Sequence, residues 1–274
     1  MQHRPPAPFY LINFGIPLLF ALLVFCVFDL TSLDVAFSNL FYDSAAHAFP
    51  LDSSRAFEYF THKLPRIIPD WTGELAIIGT LLSFLWPRLK HDRHQTVITV
   101  LQRLWLAPLL KFCSRHRRDL LFVVVAFAVS TGITHFFKSH TGIWCPIETT
   151  LYGGSQPKLE WYRNFSLLHE AGAGRCWPGG HASSGFTVCA LYFVARRYRW
   201  RHANALLAGI LLLGLVYGTT RVFQGWHYMS HTFWAGIFVW LGTLLTALAF
   251  YGRIELDQPS IARMPASLQE PTAA

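Results

Sequence analysis

Charged side chains are scarce in this sequence: 14% of its 274 residues are Asp, Glu, Lys or Arg, while 53% are hydrophobic. That balance excludes an ordinary soluble domain of this length and points to one membrane domain that crosses the bilayer several times. Acidic residues are the scarcer sign, 15 against 23 Lys and Arg, which leaves a formal charge of +8. Nucleic acid is not the expected partner of that charge. The basic residues cluster between apolar runs, and no basic-aromatic nucleic-acid motif appears. An internal repeat, a low-complexity tract and a soluble second domain are all missing as well.

What is present is a series of apolar runs. They predict an all-α, polytopic bundle of six transmembrane helices at 10–30, 73–87, 120–137, 182–196, 203–220 and 232–251. The first run has about span length and no small-residue cleavage site close behind it, so it reads as a retained helix rather than a secretion signal. Eight Lys and Arg in 88–118 and four Arg in 196–202 belong on the cytoplasmic side. Alternating through six spans then puts both termini in the cytoplasm and the loops 31–72, 138–181 and 221–231 on the opposite face. Within 88–118, "VITVLQRLWLAPLLKF" reads either as an amphipathic surface helix or as a loose connector. The membrane domain is expected to occupy 1–252, with a polar, disordered tail at 253–274.

Three short stretches carry chemistry, and all fall at outer ends of spans. In "FKSHTGIWCP" Lys138 closes the third span. In "RCWPGGHASSG" His181 follows Gly179 and Gly180 where the fourth begins. In "TTRVFQGWHYMSH" Arg221 ends the fifth, and His227 and His231 precede the sixth. Trp144, Trp177 and Trp226 sit in the same stretches, as expected at a membrane interface. Lys138, Arg175, Arg221, two imidazoles and a glycine-rich helix start make up the equipment for a phosphoryl group. Cations and helix-end N–H groups hold its oxygens, one imidazole attacks phosphorus, and another protonates the leaving alkoxide. His227-x3-His231 also has metal-ligand spacing on a helix, but no adjacent general-base glutamate or third ligand accompanies it. No metal or other cofactor is expected.

In order and spacing these stretches resemble the three motifs of the type 2 phosphatidic acid phosphatase superfamily, K-x6-R-P, P-S-G-H and S-R-x5-H-x3-D. Here they read K-x6-C-P from Lys138 to Pro146, P-G-G-H from Pro178 to His181, and T-R-x5-H-x3-H from Thr220 to His231. The resemblance covers about 120–245. It implies that His227 is the nucleophile that forms a phosphohistidine, that His181 is the acid for the leaving group, and that Lys138, Arg221 and the Gly180 backbone hold the phosphate.

Three positions depart from that pattern. Cys145 replaces an arginine, and Arg175 is the expected substitute cation. Gly179 replaces a serine, which removes a hydroxyl donor but leaves the backbone donors; Ser183 and Ser184 are the candidates to point back, although serines at a helix start have many other uses. His231 replaces the aspartate that orients the nucleophile. A neutral His231 can accept a hydrogen bond from His227 but brings no fixed charge, so a loop carboxylate, Glu148, Glu160 or Glu170, is the alternative partner. Cys145 and Cys176 share the outer loops and are expected to pair in an oxidising compartment, whereas Cys26, Cys113 and Cys189 stay reduced.

The expected protein is a multi-pass phosphatase of a bacterial inner membrane. It hydrolyses a lipid phosphomonoester or pyrophosphate at the periplasmic face, the candidates being phosphatidic acid, phosphatidylglycerol phosphate, undecaprenyl pyrophosphate and lipid A. A phosphotransferase using the same intermediate and an inactive lipid-phosphate-binding protein are the alternatives.

Overall fold

In the computed structural model, which describes residues 6–89 and 95–258, the chain is a bundle of helices joined by loops. The first helix, α1 (Ala7–Asp29), is apolar on nearly every face. A short helix α2 (Leu33–Asn39) follows, and then α3 (Ile67–Ser83), which carries Pro69 in its first turn, where a missing N–H costs nothing. After α3 come α4 (Gln95–Arg103) and α5 (Leu106–Arg115), bent 106° from one another. The longer helices that follow are α6 (Arg117–Thr141), α7 (Gly180–Thr187), α8 (Cys189–Arg197), α9 (Ala203–Phe223) and α10 (Met229–Leu256).

Four of these helices, α1, α6, α9 and α10, are each long and apolar enough to cross a membrane, and the α4–α5 pair makes five if it counts as one span. The chain is a multi-pass membrane protein. The runs expected at 73–87 and 182–196 take a different form. The first becomes the 17-residue α3, which starts earlier and stops at Ser83. The second is broken by a turn at Val188 into α7 and α8. The stretch 95–115 is helical, with Ile98, Leu101, Ala107 and Leu110 packed around Trp86. Of the expected tail, 253–256 continue α10 past a kink at Gly252, and 259–274 lie outside the described residues.

Helix α10 is the central post, packed on α6, α7, α8, α9 and α1. Small residues let the backbones close up. A Cβ at Gly218 of α9 would lie 2.1 Å from the Thr232 side chain of α10, and one at Gly214 would lie 2.3 Å from the Phe186 ring of α7. Such close approach is how helices associate in lipid, where apolar burial alone gives little preference for one partner. At one end of the bundle Asp119 accepts hydrogen bonds from Tyr198 (2.7 Å), Tyr251 (2.9 Å) and Arg197, and Arg197 also binds Glu255 at 2.8 Å. This polar knot ties α6, α8 and α10 together. Lys138 lies 19 residues further along α6, about 28 Å at 1.5 Å per residue, so the candidate site stands at the other end.

Candidate active site

Each motif is delivered by the end of a helix. Lys138 sits in the last turn of α6, which stops at Gly142. That glycine is left-handed (φ 60°), and a Cβ there would meet the Ala171 carbonyl at 2.2 Å. Gly179 caps α7, and its N–H donates to the His231 carbonyl at 2.9 Å. A Cβ on Gly179 would sit 3.2 Å from that same oxygen, and one on Gly180 would sit 3.2 Å from the Lys138 chain. The two glycines therefore let the start of α7 approach α10 on one side and Lys138 on the other, with His181 as the second residue of the helix.

The structure brings His227, His181, Lys138 and Arg221 into one cluster. His227 lies between α9 and α10, 6% exposed. Burial holds its pKa well below the ordinary histidine value, and Lys138, His231, His181 and Arg221 push it in the same direction. Lys138 Nζ donates to the Arg175 carbonyl at 2.5 Å. Arg221 gives one guanidinium N–H to Gln224 at 2.9 Å, while its buried Nε has no partner among the described residues. An unpaired buried donor of that kind is costly unless something supplies an acceptor, and a phosphate oxygen would do so.

Other expected residues are placed but engaged elsewhere. The Arg175 guanidinium donates to the carbonyls of Gly172 and Gly174 and pairs with Glu170 at 2.9 Å. Ser183 donates to the Gly179 carbonyl and Ser184 to that of His181. Glu148 accepts from the Cys145 N–H, and Glu160 pairs with Lys158. His231 is buried with its Nδ1 unpartnered, its ring centre 5.7 Å from that of His227. Cys145 and Cys176 form a disulfide, Cα atoms 5.1 Å apart. Their sulfurs and a His227 nitrogen lie within 4.8 Å of one another, but sulfurs bonded to each other are not thiolate ligands for a metal. Trp177 is wholly buried rather than interfacial, stacked 4.4 Å from Trp161 beneath the site.

A family model described as the PAP2 superfamily matches residues 119–255. The chain belongs to the PAP2 superfamily. The match runs from the start of α6 to the end of α10, which is the part of the bundle that carries every motif. A lipid A 4'-phosphatase of Francisella tularensis subsp. novicida (strain U112) is 25% identical over 254 residues, covering 91% of this chain and 99% of the relative. No solved structure gives a significant match.

Ahead of the matched PAP2 region lies a residue that the motif reading missed. The segment 55–63 folds over the cluster and places His62 Nε2 3.0 Å from His181 Nε2, the rings 4.0 Å apart. The pKa of His62 is lowered by burial and by Arg221. Nothing in "YFTHKLP" marks that histidine, because its role comes only from the folding of a loop 119 residues away in sequence. Asp34 and Asp52 are similar. Asp34 accepts the Ser230 N–H at the start of α10, and Asp52 accepts the Trp226 indole N–H at 2.7 Å, so the segment between α1 and α3 holds both flanks of His227.

Proposed function

We propose that this protein is a six-span inner-membrane lipid phosphate phosphatase working at the periplasmic face, with both termini cytoplasmic. The observation that carries the reading is the meeting of a buried, neutral His227 with His181, Lys138 and the unpaired Arg221 donor at the glycine-rich start of α7. Lys138, Arg221 and the N–H group of Gly180 hold the phosphate oxygens, while the Gly179 N–H stays on the His231 carbonyl and anchors the start of α7. His227 attacks phosphorus, the bond to the lipid oxygen breaks, and His181 protonates that oxygen as it leaves. Water then attacks the phosphohistidine, giving its proton back to His181, and inorganic phosphate departs. His62 Nε2, 3.0 Å from His181 Nε2, is the relay through which His181 takes up and gives back that proton.

A lipid substrate is supported by the cavity of about 630 Å³ that adjoins Lys138 and Gly180. It runs between α3, α6 and α7 and is lined by Arg66, Asp70, Glu74 and His135. Glu74 is an ionisable group midway along an apolar helix, a placement typical of binding sites within membranes. A groove with charged side chains among apolar ones suits an amphiphile with a hydroxyl-rich headgroup, and the name of the 25% identical relative puts a phosphate of lipid A first among the candidates. Phosphate release by the purified protein in detergent with EDTA, across lipid A, phosphatidic acid, phosphatidylglycerol phosphate and undecaprenyl pyrophosphate, tests the reading. Release from lipid A that survives EDTA is expected. Binding without release from any of them would favour an inactive binding protein, and transfer to an added alcohol in preference to water would favour a phosphotransferase.

A further inference from the structure

The disulfide lies directly against the reacting ring. Cys176 is fully buried, and its Sγ stands 3.0 Å from His227 Nδ1 and 2.8 Å from the Trp226 carbonyl oxygen. The groups expected to orient His227 are occupied or distant. Glu148, Glu160 and Glu170 have the partners already described, and the His231 ring centre is 5.7 Å away. A sulfur in a disulfide carries no hydrogen and can only accept.

We propose that Cys176, bonded to Cys145, is the positioning residue of His227: its sulfur receives the Nδ1–H and leaves the lone pair on Nε2, facing phosphorus. The inference rests on the reading of His227 as the nucleophile. A sulfur acceptor fixes the tautomer and the ring without adding negative charge. That suits a histidine that attacks as a neutral group, and it explains how the site works with His231 in place of a carboxylate.

The arrangement depends on redox state. A dithiol reductant passes two electrons and two protons to the pair and becomes a disulfide itself, leaving Cys145 and Cys176 as thiols. The Cys176 S–H then has two acceptors in reach, the Trp226 carbonyl and His227 Nδ1. When it donates to Nδ1, the imidazole proton sits on Nε2 and the attacking lone pair is gone. Reduction therefore divides His227 between a competent and an incompetent tautomer, and it also unties the 31-residue loop that joins the first motif to the second.

The test uses the full-length protein in detergent with EDTA throughout, so that freed thiols hold no metal. Phosphate release is measured before reduction with dithiothreitol, after it, and after reoxidation with oxidised glutathione, alongside Cys145→Ser and His227→Ala. The tautomer of His227 is read by nitrogen-15 NMR of histidine-labelled protein, with His227→Ala supplying the assignment. Reduction is expected to lower kcat at least about tenfold with KM little changed, reversibly, and to shift the His227 signals away from a pure Nδ1–H form. Cys145→Ser should behave as permanently reduced. Full kcat and an unchanged spectrum in both the reduced protein and Cys145→Ser, with His227→Ala inactive, would overturn the proposal alone. An active His227→Ala would overturn the nucleophile beneath it.

Discussion

At the scale of single residues, burial decides how His227 works. With its pKa driven well below 6.5, the imidazole stays neutral and nucleophilic in mildly acidic solution. The acid limb of kcat/KM should therefore lie below the ordinary histidine value of 6.5. A limb centred at 6.5 or higher would show that the ring titrates as an exposed histidine. The same shift bears on stability. The unfolded chain takes up a proton near pH 6.5 that the folded chain refuses, so this contribution is complete above 6.5 and is lost as pH falls toward the folded value. His62 gives a second residue-scale prediction. Replacing it with Ala removes the partner of His181 and should lower kcat about tenfold while KM holds. Steady-state kinetics on a lipid substrate would show it, and an unchanged kcat would reduce His62 to a packing contact. Of the clustered residues, Lys138, Arg221, His181 and His227 were legible in the sequence because motif spacing carries them. His62, Asp34 and Asp52 were not, since an isolated polar residue in a loop has no period and acquires its partner only through the fold.

At the scale of elements, the site depends on helix ends that can be brought close together. The contact of α9 with α10 at Gly218 and Thr232 supports Arg221 and His227 from below. Gly218→Val would force a side chain into Thr232 and should destabilise the protein by about 1–3 kcal/mol. It should lower kcat too, because Arg221 lies one turn along. A thermal unfolding midpoint equal to that of the wild type would contradict the packing. Apolar run length located α1, α6, α9 and α10 in the sequence, since each exceeds what a bilayer requires. It located α3 and α7–α8 only approximately. Pro69 lets α3 start in the preceding loop, and nothing apolar or polar in "GFTVCALY" foretells the turn at Val188.

At the scale of the whole molecule, the two ends of the bundle have separate tasks. The Asp119 knot holds α6, α8 and α10 in register, about 28 Å from Lys138 along α6. Asp119→Ala takes the acceptor from Tyr198 and Tyr251 and leaves Glu255 as the one acidic partner of Arg197, and should cost about 1–3 kcal/mol of stability, seen as a lowered unfolding midpoint, while kcat of the folded protein is unchanged. A loss of kcat without a loss of stability would mean that the ends are coupled. At the other end three distant stretches meet at the proposed phosphohistidine site. That proposal is tested most directly by phosphate release from lipid A in the presence of EDTA, comparing wild type with His227→Ala that retains the wild-type unfolding midpoint. Release by the wild type and none by the variant is the predicted result. Release by the variant at the wild-type rate would contradict the account.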